Sequence, residues 1–264
     1  SWSNFVGGAG SDQLFDVALA GSATLAVAVG NDDQAGKVRG MAIRFSTVDG
    51  SIASEKAYSL NDANTQFVSV QWRPGGALVV GGGSDHGQPT AKVYQALMAR
   101  IGGDNAVVSM TVVPAVSPQA PAFTGIKASR IEVVRALPDG SVVAAGFTGS
   151  TSEKAYQNDA AVWVFGPDDK VAAWWYYGFA GRDIVRGLVP YGEGWLGYGS
   201  LGELEANSEA FRLIILPPAP SCNDFDPCTT DTCTPGSGCV HNPATEGTAC
   251  GVGLVCGAGK CAKP

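Results

Sequence analysis

A recurring unit constrains this chain more than any other feature. Each copy has an apolar strand, a Gly-containing turn, a second strand ending in Gly, a variable polar loop, and two further strands. The first copy reads Leu14–Leu19, Thr24–Gly30, Gly40–Phe45 and a weak Lys56–Leu60. The second reads Phe67–Trp72, Ala77–Gly81, Tyr94–Ile101 and Ala106–Val113. The third reads Ile131–Leu137, Ser141–Gly146, Ala160–Phe165 and Val171–Tyr177. The fourth has only Ile184–Val189, Gly194–Gly199 and Ala210–Leu216. The turns between first and second strands carry Pro74-Gly75-Gly76, Pro138-Asp139-Gly140 and Tyr191-Gly192-Glu193-Gly194, where Gly supplies positive φ and Pro presets the entry. The strand-two glycines are expected at Gly30, Gly81, Gly146 and Gly199.

The fourth copy lacks a fourth strand, because the chain runs into Pro217-Pro218-Ala219-Pro220. The missing strand is expected at the other end. Trp2-Ser3-Asn4-Phe5-Val6 precedes Gly8-Ala9-Gly10-Ser11-Asp12, as Trp174-Trp175-Tyr176-Tyr177 precedes Phe179-Ala180-Gly181-Arg182-Asp183. Pairing of Trp2–Val6 with the strand around Phe211–Leu216 would close a ring and remove the sheet edges. The expected fold is therefore all-β: a β-propeller of about four blades over 1–217, closed by its N-terminal strand. A β-sandwich or irregular barrel also gives short strands with frequent turns; complementary chain ends favour the propeller. The Trp-rich strand, glycine-rich Gly-x-Gly-x-Asp-like segment and strand ending in Gly resemble bacterial β-propeller repeats of the SBBP type. That resemblance implies an extracellular propeller and brings no catalytic residues with it.

All seven cysteines lie in the last part of the chain: Cys222, Cys228, Cys233, Cys239, Cys250, Cys256 and Cys261. Such density in a segment poor in apolar residues predicts cross-links in place of a core, and an oxidising compartment. Six cysteines allow fifteen pairings. The seventh is left over; a free thiol, a bridge to another chain and a partner cysteine further along a longer chain are the open readings, the last two favoured equally. Cys228-Thr229-Thr230-Asp231-Thr232-Cys233 followed by Gly238-Cys239 resembles the slime-mould-type CTDC cysteine-rich repeat, over 222–261. The resemblance implies an extracellular stalk or adhesive module. The expected organisation is a propeller at 1–217, a Pro-rich linker at 218–221, and a disulfide-stapled module at 222–264 with little regular structure.

Little chemistry emerges. None of the cysteine spacings is CxxC and only His241 lies near, so zinc is disfavoured. Asn223, Asp224, Asp226 and Asp231 offer hard oxygens for calcium but lack an alternating ligand series, so turn formation is the expected role. No cofactor is expected. His86, in Gly83-Ser84-Asp85-His86, sits too close in sequence to its neighbours to form a triad. Asp32-Asp33, Asn158-Asp159 and Asp168-Asp169 read as turn residues, and nothing selects a carboxylate pair for glycoside hydrolysis. The best hint of a binding surface is Trp174, Trp175, Tyr176 and Tyr177, since consecutive strand residues point to both faces. If one face is uncovered, two of the rings meet a partner.

A net charge of −7 argues against nucleic acid. No apolar stretch approaches a membrane-spanning length. The chain opens at Ser1 and is taken as a processed mature chain or a fragment. The expectation is a secreted or cell-surface, bacterial, non-catalytic protein that binds other proteins, copies of itself among them, and forms filaments. A carbohydrate- or peptide-binding module is the rival reading, and an extracellular glycosidase trails it.

Overall fold

A computed structural model describes residues 10–34, 36–86, 94–113, 126–150, 157–177, 183–191, 194–201, 209–215, 228–234, 238–251, 254–257 and 260–262. Among them every regular element is a β-strand. The expected segments Trp2–Val6 and the 218–221 linker lie outside the described residues. By backbone proximity the chain divides into one unit of 1–188 with 197–213 and a second of 189–196 with 214–264.

Three four-stranded antiparallel meanders follow one another. The first contains β1 (Gln13–Leu19), β2 (Leu25–Gln34), β3 (Lys37–Ser46) and β4 (Ile52–Tyr58). The second contains β5 (Thr65–Trp72), β6 (Leu78–Ser84), β7 (Gln95–Ile101) and β8 (Val107–Val112). The third contains β9 (Ile126–Ala136), β10 (Val142–Ser150), β11 (Gln157–Phe165) and β12 (Val171–Tyr177). A fourth sheet has the three strands β13 (Ile184–Tyr191), β14 (Gly194–Leu201) and β15 (Glu209–Ile215). The repeat therefore stands. The fourth strand of the first copy lies at Ile52–Tyr58 rather than 56–60, because the turn after β3 is tight.

The first three sheets stack face on face. Strand alternation sends successive side chains to opposite faces, and the second sheet uses both. Leu78, Val80, Leu97, Ala99 and Ile101 pack with Val27, Val29, Ala42 and Tyr58 of the first sheet. Val79, Ala96 and Met98 pack with Ile131, Val134, Val142, Ala144 and Trp163 of the third. This explains why all of β6 is buried and why it is an apolar run ending in glycines instead of an alternating strand.

A shared device sets the curvature of each first strand. Gly30, Gly82 and Gly146 lie opposite Leu14, Phe67 and Ile131, each beside a register shift. The strand-two glycine of the second sheet is thus Gly82, one past the expected Gly81. A Cβ at any of the three would collide with the backbone of the bulged strand, at Gln13, Gln66 and Arg130 respectively. Gly81 faces the third sheet instead, where a Cβ would strike Ile131 and Val134.

Polar side chains tie neighbouring first strands together. Asp16 Oδ2 accepts from Ser69 Oγ and Val70 N, both at 2.9 Å. One sheet on, Ser69 Oγ accepts from Val134 N at 3.3 Å, and Gln71 Oε1 from Ala136 N at 2.8 Å. Arginines do the same at the turns. Arg44 donates to the carbonyls of Gly102 and Gly103 at 2.7 Å. Arg73 Nη1 meets Asp169 Oδ1 at 2.5 Å, and Arg100 Nε lies 2.9 Å from the other oxygen.

The tail is more regular than expected. β16 (Thr229–Thr234) and β17 (Gly238–Pro243) form a hairpin, and β18 (Ala249–Gly251), β19 (Leu254–Gly257) and β20 (Lys260–Ala262) a small meander. The β-branched Thr229, Thr230, Thr232 and Val240 favour strands. Disulfides Cys228–Cys256 and Cys250–Cys261, with Cα separations of 5.4 and 5.8 Å, hold the strands where a core would otherwise have to. In the chain-entropy picture, closing loops of this length stabilises by ~3 kcal/mol each.

Candidate binding surfaces

The two ends of the stacked sheets differ. At one end the connections are residues 20–24, 47–51, 73–77, 102–106, 137–141 and 166–170, all five residues long. Four of them share one hydrogen-bond pattern, while 20–24 and 47–51 close through Ala20 N to Leu25 O and Ser46 N to Ser51 O. Arg73 N donates to Ala77 O and Gly76 N to Arg73 O; Gly102 to Ala106 and Asn105 to Gly102; Leu137 to Ser141 and Gly140 to Leu137; Gly166 to Lys170 and Asp169 to Gly166. The left-handed position is filled by Ala23, Gly50, Gly76, Asn105, Gly140 and Asp169, with φ between 54° and 85°. Asp168-Asp169 is thus a turn pair, as the sequence suggests. Within the first three sheets and between them, the remaining strands are separated by residues 35–36, 59–64, 85–94, 113–125 and 151–156, lengths that are not uniform. Loops of variable length carried on a fixed scaffold are where binding residues concentrate.

A band of buried polar side chains lies under that variable end. Asp32, Ser84 and Thr148 each follow the bulge glycine by two residues, and all three are buried. Their cross-strand partners are Arg39, Gln95 and Asp159. Asp32 forms an ion pair with Arg39. Ser84 Oγ donates to Asn64 O at 3.1 Å. Thr148, 5% exposed, has no hydrogen-bond partner for its hydroxyl among the described residues. Opposite it, burial pushes the Asp159 carboxyl above its usual range, and the fully buried Asp183 carboxylate adds to the shift. Asn158-Asp159 is therefore part of a strand, and Asp159 holds its proton more readily than an exposed carboxyl. The band was legible as a polar residue at a fixed offset from glycine, but only once Gly82 replaces Gly81 in the alignment.

The remaining sequence candidates separate. Trp174 and Tyr176 pack into the core between the second and third sheets, their rings 6.0 Å apart. Trp175 and Tyr177 take the other face; Trp175 is half-buried and Tyr177 exposed. His86 Nε2 lies 3.4 Å from Asn61 Nδ2. Its neighbours are committed elsewhere, since Asp85 Oδ2 accepts from Asn64 Nδ2 at 2.7 Å and Ser84 Oγ from His86 N at 3.2 Å. They brace the 59–64 connection and do not form a relay. Cys233 and Cys239 are register partners across β16 and β17. Cys222, Asp224 and Asp226 lie outside the described residues, and Asp231 is described only in its backbone.

A cavity of about 410 Å3 opens among the first strands, lined by Asp16, Val17, Leu19, Val70, Trp72 and Arg135. Its polar groups are spent on the scaffold. Arg135 donates to Leu188 O at 3.0 Å and Val134 O at 2.8 Å, and Trp72 Nε1 to Ala18 O at 3.3 Å. Val17 and Leu19 remain exposed. Among the described residues no helix is long and apolar enough to cross a membrane.

No protein-family model matches the chain, and no curated protein does. Among solved structures, Sqt1 from Chaetomium thermophilum is similar at 11% identity with a TM-score of 0.41, over 71% of this chain and 41% of that one. The acylaminoacyl peptidase of Pyrococcus horikoshii is similar at 10% identity and 0.42, over 77% and 32%. Kuenenia stuttgartiensis hydrazine synthase is similar at 10% and 0.39, over 80% and 70%. This chain thus spans less than half the length of the first two, and likeness at this level assigns neither family nor activity.

Proposed function

We propose that this chain is a non-catalytic secreted or cell-surface structural protein. Its four sheets close into a small propeller, and its variable end and cross-linked tail bind protein partners, copies of itself included. The observation that carries this reading is the segregation of connections in the first three sheets: a five-residue turn recurring at one end, connections of unequal length at the other. A chain that holds its sheets so uniformly while varying one face is built to present that face.

Burial on both outer faces of the three-sheet stack supports closure. On the first sheet, Ala26, Ala28, Met41 and Ile43 point away from the second sheet and are buried; so are Val143, Ala145, Ala160 and Val162 on the far side of the third. In an open stack these faces would meet water. The Trp2–Val6 strand would supply the fourth strand of the last sheet, and removing residues 1–6 should lower stability or cause aggregation. Stability unchanged by that truncation would count against the ring.

The disulfides fit an oxidising compartment. Assembly through the tail, including into filaments, is tested by sizing protein from its native source with and without reductant. The reading expects particles larger than one chain. A single-chain particle under both conditions would overturn assembly. The rival, a sugar-binding propeller, is favoured by the exposed ring of Tyr177 beside Trp175. A glycan-array signal lost in Trp175→Ala would support it.

A further inference from the structure

The two tail disulfides lie against each other. The sulfurs of Cys228, Cys250 and Cys261 are all within 4.8 Å of one another. Cys256 and Cys261 are register partners across β19 and β20, yet each is bonded elsewhere: Cys256 to Cys228, Cys261 to Cys250. Access differs sharply. Cys228 and Cys256 are 0% and 2% exposed. Cys250 is half-buried, and Cys261, on the exposed strand β20, is at least half-open to solvent.

We infer that Cys250–Cys261 is a thiol-exchange site, at which the cysteine of another chain is captured. An incoming thiolate attacks Cys261 Sγ, forms a mixed disulfide there, and releases Cys250 as a thiolate. Cys250 then lies within 4.8 Å of Cys228 Sγ. Its attack forms Cys228–Cys250 and expels the Cys256 thiolate. Cys256, facing Cys261 across the strand pair, attacks the mixed disulfide, forms Cys256–Cys261 and returns the incoming thiolate. No net oxidation occurs: two bonds become two others. If Cys256 does not complete the last step, the partner stays covalently attached. The buried bond is opened only through the accessible one, because an external thiol cannot reach Cys228 or Cys256 directly.

The chemistry deepens the assembly reading but is tested apart from it, with reduced glutathione as the probe on the folded full-length chain. Samples quenched in acid are mapped by mass spectrometry. The expected result is glutathione on Cys261, followed by linked peptides joining Cys228 to Cys250. Glutathione first on Cys228 or Cys256, or no such linked peptides, would overturn the site. In the double variant Cys250→Ser/Cys261→Ser, opening of Cys228–Cys256 should slow at least about tenfold, since the route through the accessible pair is gone. An unchanged rate refutes the relay. Faster opening would report unfolding, and Cys256→Ser then decides. That variant leaves Cys228 as a thiol beside Cys250–Cys261 and should yield Cys228–Cys250 or Cys228–Cys261 peptides, whereas retention of Cys250–Cys261 alone refutes the exchange. Failure of both variants leaves non-covalent assembly standing.

Discussion

Ala23 occupies the left-handed position of its turn with φ 54°, where the equivalent turns place Gly, Asn or Asp. An L-residue with a Cβ is disfavoured there by about 1 kcal/mol. Ala23→Gly should therefore raise the urea midpoint, by a stability gain of about 1 kcal/mol; a fall would show that contacts of the Ala23 methyl outweigh the backbone cost. Asp169 is the opposite case. It is 2% exposed, and its carboxylate is ion-paired with Arg73 and Arg100 and accepts from Ser109 Oγ at 2.7 Å. Asp169→Ala strands a buried guanidinium and should cost about 3–5 kcal/mol. Asp169→Asn keeps the left-handed preference and one acceptor, so its loss should be clearly smaller. Equal losses in the two variants would mean that the carboxylate charge, not the turn preference or the remaining acceptor, is what Asp169 provides. The sequence marked Asp168-Asp169 as a turn. It could not mark the ion pair, because Arg73 lies 96 positions away and only the stacking of sheets brings them together.

At the scale of elements, strand limits were legible because period-two alternation and glycine-marked turns are local properties. The bulges were not, since the collision that demands glycine comes from the neighbouring strand. This gives a graded test. Gly82→Ala and Gly146→Ala place a methyl into backbone and should each destabilise by about 1–3 kcal/mol or more. Gly103→Ala, with nothing near its would-be Cβ, should be within about 0.5 kcal/mol of neutral. Comparable effects at all three would remove the bulge explanation. The tail strands were hidden for a related reason. Their order rests on Cys228–Cys256 and Cys250–Cys261, and spacing alone does not select a pairing.

At the scale of the molecule, the second sheet is the central layer of the stack, with both its faces in core clusters. Amide hydrogen exchange should be slowest in β6 and β7 and faster in β1, whose Phe15, Val17 and Leu19 are exposed. Protection of β1 equal to that of β6 would mean that the layers do not differ in stability. The stacking order was partly legible, since β6 is apolar without alternation, but which residues face which neighbour was not. The candidate surface divided in the same way. Trp174 and Trp175 were singled out by composition, both are half-buried, and only the face each adopts puts Trp174 against the core. The six equal turns also carry an evolutionary consequence. In the four connections that satisfy the same two hydrogen bonds, a single inserted residue breaks register, so those turns should tolerate changes of letter but not of length. The opposite end is under no such rule, so its connections should accept lengthening, shortening or exchange without refolding of the scaffold. Foreign peptides grafted between Ser84 and Gln95 should accordingly be carried as cargo.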